Sequence, residues 1–375
     1  MSIDKNNNLI TKGGVIVPPL EITPSLFIDR SLVMYGPSKT GKTVLIKHIM
    51  KLVYGYIEQI IIVSPSEPTN RSYEGFVDSP FIHTRLYMPN PDDPQKDEGS
   101  KGGLRFLEAI WKRQEILAAV YTRANNIDVL AGLFSKLPKR IKGEGIKRIE
   151  LLNEKRKQII SKIKNDSERC DENIKNINEK FKKILILNYK KFIMPFYEKL
   201  WEMDDITEDE RYSLQYLKLN PRMLLIFDDC AAQFKPFFNK EIFRSLFYQN
   251  RHCFITVIIS CQDDTDLPAN LRKNAFISFF TEPIVCTSNF ERSSNQFSKK
   301  IKSYVSSIAG DIFKGNRKLA YMREDDTKQQ FYHIEAPYPE LFKFGSSAFH
   351  EYSKLVQNEG TTMDKDNPFY AKFKI

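Results

Sequence analysis

Residues 36–43 read GPSKTGKT and are the most informative segment of this sequence. It matches the pattern G-x-x-x-x-G-K-[ST] at every position, which predicts a phosphate-binding loop, or P-loop. The glycines let successive backbone N–H groups converge on bound phosphates, and the following helix presents its positive N-terminus. Lys42 is expected to reach the β- and γ-phosphates, and the Thr43 hydroxyl to ligate Mg²⁺. The residues expected to bind nucleotide are Gly36, Pro37, Ser38, Lys39, Thr40, Gly41, Lys42 and Thr43.

The residues on both sides of the P-loop supply the frame that such a loop needs. Residues 32–35 are a short apolar run, and 43–56 carry apolar residues at the spacing of an amphipathic helix. Residues 59–63, QIIIV, are a β-branched run typical of a buried strand. This order of strand, turn, helix and strand predicts a βαβ unit, and therefore a parallel sheet. A simple glycine-containing turn, the alternative explanation of the motif, would not require this frame.

A second apolar run ends in two carboxylates. Residues 223–229 read MLLIFDD, which has the form of a Walker B strand. Asp228 is expected to hold Mg²⁺, directly or through water, at the carboxyl end of the strand, where ligands bind in open α/β sheets. Asp229 is a candidate general base that polarises the attacking water. Alternatively, the two acids mark only a strand end that meets solvent.

The next predicted strand, 254–260, is followed by Cys261 and Gln262. In NTPases that have an extra strand between the P-loop and Walker B strands, this strand lies beside the P-loop. Gln262 is therefore a candidate catalytic residue that senses the γ-phosphate and orients water. The alternative is that Gln262 only caps the strand end.

Two arginines flank this strand. Arg251 lies just before it, in Asn-Arg-His, and Arg272 lies after it, in the stretch LPANLR. An arginine at a subunit edge can stabilise charge on a neighbour's γ-phosphate, which is worth roughly 10³–10⁵ in rate. Both are candidate arginine fingers, and a finger would imply a homo-oligomeric ring. Solvation at the surface is the common alternative for any arginine.

Residues 104–220 differ in character from the rest of the chain. Residues 146–194 contain neither Gly nor Pro, and their apolar residues recur mostly three or four apart, which approximates a heptad seam. The positions of this seam are Ile149, Leu152, Ile159, Ile163, Cys170, Ile174, Ile177, Phe181 and Ile184. The pattern predicts a long helical insertion that forms a hairpin or coiled-coil arm. A flexible charged linker is the alternative.

Most of the net charge lies in this insertion. Residues 134–183 hold 16 Lys/Arg against 8 Asp/Glu and so carry +8 of the total of +10. A basic excess is consistent with a nucleic-acid partner, although a solvated helix face is the commoner explanation.

The predicted elements define an α/β fold, a doubly wound and mostly parallel sheet that a long helical insertion interrupts. The expected segments are a lead-in without regular structure (1–28), the first part of the core (29–103), the basic insertion (104–220), the second part of the core (221–340) and a loose tail (341–375, most clearly from Glu359). Residues 318–322 and 330–335 predict a late hairpin.

Composition narrows the class of protein. A hydrophobic fraction of 41% and an aromatic fraction of 12% are typical of a globular protein. The five cysteines show no CxxC spacing, which favours reduced thiols over disulfides or a zinc site. The start of the chain is polar and no apolar run approaches the roughly 20 residues that span a bilayer, so we expect a soluble intracellular protein. The absence of N-K-x-D and of an L-S-G-G-Q-like segment argues against GTPases and ABC ATPases.

Taken together, these motifs resemble one family. The P-loop, the strand LLIFDD, Asn-Arg-His before a strand that ends in Gln, and the downstream LPANLRKN are similar to the genome-packaging ATPases of nucleocytoplasmic large DNA viruses. Those enzymes belong to the FtsK–HerA class of P-loop motors. The resemblance covers about residues 25–90 and 220–340 and does not explain the insertion.

The resemblance implies a RecA-like core, a ring of subunits, and ATP hydrolysis with Mg²⁺ that drives double-stranded DNA into a capsid without reading its sequence. It implies that Lys42, Thr43 and Asp228 bind nucleotide and Mg²⁺, that Asp229 and Gln262 are catalytic, and that Arg251 is the better finger candidate. The family commonly has Glu at the place of Asp229. The implied location is the host cytoplasm or viral factory, or the virion, with capsid-vertex proteins among the candidate partners.

Three other functions stay open at this point. Another FtsK–HerA-type DNA pump would share every motif. A small-molecule or nucleoside kinase would need an acceptor pocket and a lid, and would act without DNA. A nucleotide-gated assembly factor would bind nucleotide without turnover, although the two carboxylates argue against it.

Overall fold

The apolar runs around the P-loop and before the paired carboxylates form strands of one sheet in the computed structural model, which describes residues 2–164, 170–323 and 330–358. The strands in these residues are β1 (Ser2–Ile3), β2 (Leu9–Ile10), β3 (Ile16–Val17), β4 (Ser31–Tyr35), β5 (Gln59–Val63), β6 (Ile82–His83), β7 (Met223–Asp228), β8 (Ile255–Cys261), β9 (Ile277–Phe280), β10 (Arg317–Met322) and β11 (Phe331–Glu335). Strands β4, β7 and β8 are buried along their whole length, as continuous apolar runs predict.

Strands β4 to β11 form an eight-stranded sheet in the order β11-β10-β9-β4-β8-β7-β5-β6. The strands from β9 to β6 in that order are parallel, and β10 and β11 add an antiparallel pair at one side. Strand β8 lies between the P-loop strand β4 and the Walker B strand β7, as expected for an NTPase with an extra strand. This mostly parallel α/β sheet confirms the predicted fold class. Parallel alignment brings the carboxyl ends of β4, β8, β7 and β5 to the same edge.

Helices cover both faces of this sheet. The helices in the described residues are α1 (Pro24–Phe27), α2 (Lys42–Val53), α3 (Glu67–Asn70), α4 (Ser100–Ala124), α5 (Ile127–Ser135), α6 (Lys139–Lys164), α7 (Cys170–Ile193), α8 (Tyr197–Trp201), α9 (Glu208–Gln215), α10 (Ala231–Phe234), α11 (Glu241–Tyr248), α12 (Ala269–Asn274), α13 (Pro283–Glu291), α14 (Lys299–Ile312) and α15 (Ser347–Asn358). Alternate residues of β4 enter two different apolar clusters: Leu32 belongs to the cluster that contains Ile49 of α2, whereas Val33 belongs to the cluster that contains Phe243 of α11. The sheet is therefore doubly wound.

The lead-in has regular structure, and the expectation of irregular chain there was wrong. Strands β1, β2 and β3 form a small antiparallel sheet, and α1 follows. Leu9, Val17 and Phe27 are fully buried in the core clusters. Two-residue strands carry too little alternation to be recognised in a sequence.

The chain divides into two compact units, one formed by residues 2–115 with 221–358 and the other by 116–220. The division falls inside α4 and not at residue 104, because Phe106, Ile110 and Trp111 on the first part of that helix belong to a core cluster of the first unit. The first part of the expected tail is not loose, because it contains α15, and Phe342 and Phe344 are buried in a core cluster. The tail from residue 359 onward lies outside the described residues.

The second unit is helical. Its buried cluster includes Leu130 and Leu133 of α5, Ile193 at the end of α7, and Leu214 of α9. Helices α6 and α7 pack on each other, with the Arg156 guanidinium 4.8 Å from the centre of the Phe181 ring. The expected seam over 149–184 is therefore divided between two helices, and 165–169, between them, lie outside the described residues.

Two further expectations concern thiols and membranes. Four cysteines are free and buried: Cys230, Cys253, Cys261 and Cys286. The side chain of Cys170 is not among those that the structure describes. None of the helices in the described parts of the chain is both long and apolar enough to cross a membrane.

Candidate nucleotide-binding site

The P-loop connects the carboxyl end of β4 to the first turn of α2. Gly36 extends the strand, because its N–H donates to the Cys261 carbonyl at 3.2 Å. A Cβ on Gly36 would lie 1.8 Å from Thr281 Oγ1, so no larger residue fits. Gly41, the residue before α2, has φ 86°, and Lys39 has φ 66°. This left-handed backbone favours glycine at position 41 and turns the loop into the helix N-terminus.

Lys42 lies inside the loop and not in solvent. Its side chain is 5% exposed. The ammonium donates to the carbonyl oxygens of Gly36 at 2.5 Å and Pro37 at 3.0 Å. It also lies 3.9 Å from Asp229 Oδ1. The cation therefore stands between the P-loop and the end of β7, where the phosphates of a nucleotide on this loop would lie.

Asp228 ends β7 beside the first turn of α2. The Thr43 hydroxyl donates to Asp228 Oδ2 at 3.3 Å. The other carboxylate oxygen, Oδ1, is buried and has no hydrogen-bond partner among the described residues. A buried acceptor without a donor is costly, and an oxygen ligand for Mg²⁺ would use it. The pair Thr43 and Asp228 therefore fits the Mg²⁺ that the P-loop class implies, since this ion takes one or two protein oxygens together with phosphates and water.

Asp229, the residue after Asp228, lies on the same side of the site as Lys42, whose ammonium is 3.9 Å from Asp229 Oδ1. Its backbone adopts a left-handed conformation, φ 55°, which an aspartate tolerates better than most residues. Its side chain is 29% exposed. Partial burial raises the pKa of this carboxyl, Lys42 opposes that shift, and Asp228 and Asp266 add to it. An ionised Asp229 is thus a stronger base than an ordinary aspartate.

The structure adds a group that the sequence did not suggest, Tyr73, from the segment after β5. Its hydroxyl donates to Asp228 Oδ2 at 2.8 Å. The buried Glu67 accepts the backbone N–H groups of Ser72 at 2.9 Å and Tyr73 at 2.8 Å. The only available signal was topological, since a segment that follows β5 begins at the same edge of the sheet as the end of β7.

Two other residues near the P-loop were also missed. Thr281, after β9, has its hydroxyl 2.5 Å from the Thr40 hydroxyl. Lys318 of β10 is buried, and its Nζ would lie 3.0 Å from a Cβ on Gly41. Both reach the loop because β9 and β10 extend the sheet beyond β4, an order that the sequence alone does not reveal.

Gln262 follows the end of β8, next to the strand that carries the P-loop. Its side chain is exposed, and its backbone N–H donates to Asp266 Oδ2 at 3.1 Å. The role of Gln262 as sensor stays a prediction.

Arg272 is held within its own chain. Its side chain is 7% exposed and lies 3.3 Å from Asp264 Oδ2. It also donates to Asn295 Oδ1 at 3.1 Å and to Ser294 Oγ at 3.2 Å. A guanidinium with these partners stabilises the loop after β8, and the geometry favours this role over that of a finger.

Arg251 lies before the amino end of β8, at the sheet edge opposite the P-loop. It is exposed, and no residue in the described parts of the chain forms a hydrogen bond or ion pair with its guanidinium. It lines a cleft of about 180 Å³ together with Arg30, Lys273 and Arg323, which we call the basic cleft. Arg251 cannot reach the P-loop of its own chain from this edge, so a role as finger would require a second subunit.

The strand order, the P-loop and the paired carboxylates define a P-loop NTPase with a RecA-like core. The chain belongs to the family of the protein B354L of African swine fever virus. It is 48% identical to B354L of the isolate Tick/Malawi/Lil 20-1/1983 over 371 residues, which cover 98% of this chain and 99% of that one. That relative is described only as an uncharacterized protein.

No protein-family model matches the chain. Among solved structures, it is similar to the genome packaging NTPase B204 of Sulfolobus turreted icosahedral virus 2 in complex with ATP-γS, with a TM-score of 0.35 and 16% identity over 84% of this chain and 100% of that one. It is also similar to VirB4 of Thermoanaerobacter pseudethanolicus, with a TM-score of 0.34 and 12% identity over 89% of this chain and 97% of that one. Both likenesses are distant, and the class assigned above rests on the chain's own geometry.

Proposed function

We propose that this protein hydrolyses ATP with Mg²⁺ and uses the energy to move double-stranded DNA, as a motor that packages a viral genome into its capsid. One observation carries the ATPase half: Lys42, Thr43, Asp228 and Asp229 converge at the carboxyl edge of the sheet. The DNA half draws on the motifs that resemble packaging ATPases, on the basic second unit and on membership of a viral protein family.

The chemistry follows from the positions of these side chains. The backbone N–H groups of the P-loop and the N-terminus of α2 hold the phosphates, and Lys42 neutralises charge on the β- and γ-phosphates. Thr43 and Asp228 would hold Mg²⁺, which when bound neutralises the charge that develops on the phosphate oxygens. Asp229 orients a water for in-line attack on the γ-phosphorus and accepts its proton, while the bond to ADP breaks.

The coupling to DNA would use the remainder of the subunit. In a ring, the basic cleft of one subunit would face the P-loop of the next, so that Arg251 stabilises the neighbour's transition state. The exposed cations of the second unit would contact DNA phosphates without reading bases. The same proposal places the protein in the host cytoplasm, the viral factory or the virion, with capsid-vertex proteins as partners.

The test is ATP hydrolysis by the full chain with and without double-stranded DNA. We expect several-fold stimulation by duplex DNA, and we expect Lys42→Ala to lower turnover at least about 100-fold, because a charge that stabilises the transition state is lost. Lys51→Ala is the matched control, since Lys51 lies on the same helix and is exposed.

The outcomes separate the candidate functions. Unchanged hydrolysis in Lys42→Ala would overturn the nucleotide site. A turnover rate that is the same with and without DNA would favour the kinase. Nucleotide binding without turnover under any condition would favour the assembly factor. DNA-stimulated hydrolysis by a protein that packages no genome in infected cells would leave another FtsK–HerA-type pump.

A further inference from the structure

The hydrogen bond between Tyr73 and Asp228 joins two segments that lie 155 residues apart along the chain. Tyr73 is fully buried, and the oxygen that it contacts is the one that also accepts from Thr43. Asp228 Oδ1 has no partner in the described parts of the chain. The carboxylate is therefore asymmetric: two hydroxyl groups hold Oδ2, whereas Oδ1 is buried without a partner among the described residues.

We infer that Tyr73 is a positioning residue for the Mg²⁺ site: its hydroxyl holds Asp228 Oδ2 so that Oδ1 is the oxygen offered to the ion. This inference rests on the proposed function, because it needs a nucleotide with Mg²⁺ on the P-loop. Residues that orient a metal ligand through a hydrogen bond commonly change metal affinity by about 10- to 100-fold when they are removed.

The surroundings of Tyr73 suit a fixed donor. The Tyr73 side chain is fully buried, and its hydroxyl donates to Asp228 Oδ2 at 2.8 Å. Glu67 holds the backbone of Tyr73 through its bond to the N–H. The ring also lies in the core cluster that contains Ile62 and Ile226 of the neighbouring strands β5 and β7. The ring and the backbone of Tyr73 are thus both held in place, and this fixes the position of its hydroxyl.

A second buried tyrosine shows that this contact is not a general result of burial. Tyr35 is 1% exposed, and its hydroxyl has no hydrogen-bond partner among the described residues. Replacing Tyr35 by Phe removes the same atom from an equally buried ring without touching Asp228. Tyr35→Phe is therefore the matched control for Tyr73→Phe.

The experiment measures binding, so that it does not depend on turnover. A fluorescent ADP analogue is titrated onto the full chain, first in EDTA and then at increasing Mg²⁺. We expect Tyr73→Phe to bind the analogue like the wild type in EDTA, and to need about tenfold more Mg²⁺ for the half-maximal gain in affinity. Tyr35→Phe should follow the wild type, and Asp228→Asn should lose most of the Mg²⁺ response. Binding of Mn²⁺, followed by the loss of its free electron paramagnetic resonance signal, should show the same order.

Two results would overturn the inference. A Mg²⁺ response of Tyr73→Phe equal to that of the wild type would mean that the hydroxyl does not position the carboxylate. An equal loss of affinity with and without Mg²⁺, accompanied by a lower Tm, would mean that Tyr73 only packs. Failure of the proposed function looks different, because the wild type itself would then show no Mg²⁺-dependent binding.

Discussion

The P-loop edge and the adjoining loops of the first unit differ from the α6–α7 helix pair of the second unit in how their side chains are held. In the first unit, charged groups are buried and held by specific partners, as Lys42 is by carbonyl oxygens and Arg272 by Asp264. In the second unit, the middle of the helix pair leaves apolar side chains in solvent, with Ile159 49% and Ile184 46% exposed. In the first unit we therefore expect single substitutions to change activity or stability strongly. On the charged surface of the second unit we expect each substitution to change DNA binding by a small amount.

The largest expected effect comes from Arg251 in the first unit. We expect Arg251→Ala to lower DNA-stimulated hydrolysis by about 10³-fold, because an arginine finger contributes that much or more. Its Tm should not change, since the guanidinium is exposed and has no partner within the described residues. If the finger acts on a neighbour, mixing Arg251→Ala with Lys42→Ala subunits should restore part of the activity that each variant lacks alone.

Arg272→Ala is the counterpart within the same unit. Removing one partner of a buried ion pair costs about 3 kcal/mol, so we expect a lower free energy of unfolding, measured with urea. The remaining contacts of Asp264 with Arg292, both at 2.9 Å, limit this loss. The two roles would be exchanged if Arg251→Ala hydrolysed ATP normally and Arg272→Ala lost activity at a temperature at which it stays folded. Arg272 would then be the finger candidate.

A smaller effect should distinguish Asp229 through its dependence on pH. A general base contributes at least about 100-fold, so Asp229→Asn should lower kcat by that factor. The base works as a carboxylate and burial raises its pKa, so wild-type turnover should fall as the pH decreases through a value above the pKa of an unperturbed aspartate. This acidic limb should be absent from the pH profile of Asp229→Asn.

The stability of the same variant provides the control. A carboxyl whose pKa is higher in the folded than in the unfolded state opposes folding above that pKa, and this penalty disappears as the pH falls. Asp229→Asn should therefore keep or raise the Tm at neutral pH. An acidic limb that persists in the variant would assign the titration to another group.

The difference between the units also explains what could be predicted from the sequence. Residues 59–63 were predicted as a strand and form β5 with the same ends, because a buried parallel strand is a continuous apolar run between polar turns. The seam over 149–184 indicated helices but not where one helix ends, since a heptad pattern is compatible with one helix or with a pair. Periodicity is thus informative where the whole side-chain surface is buried and ambiguous where half of it meets solvent.

The candidate site divides in the same way. Lys42 and Asp228 belong to local motifs, so their convergence followed from the fold class. Tyr73 reaches Asp228, and Lys318 reaches the P-loop, only through the order of strands in the sheet, and no local pattern marks either residue. The burial of Arg272 likewise depends on the path of the loop after β8, which brings Asp264 to it. The contacts between distant segments at this edge of the sheet are therefore the part of the site that could not be predicted from a single sequence.

The smallest expected effect belongs to the second unit and tests whether its charge acts as a surface. Lys155, Lys157 and Lys162 are exposed on α6. Changing all three to Gln should weaken duplex binding and lower the magnitude of the slope of log K against log salt by up to about 2 to 3, because each phosphate contact contributes about 0.9.

Turnover without DNA should not change in this variant. Changing the exposed Glu150, Glu154 and Glu179 to Gln should raise the affinity for duplex DNA instead. Fluorescence anisotropy of a labelled duplex at several salt concentrations measures both. An unchanged slope in the lysine variant would remove this face from the DNA path, and the basic excess of the second unit would then belong to a protein contact or to solvation alone.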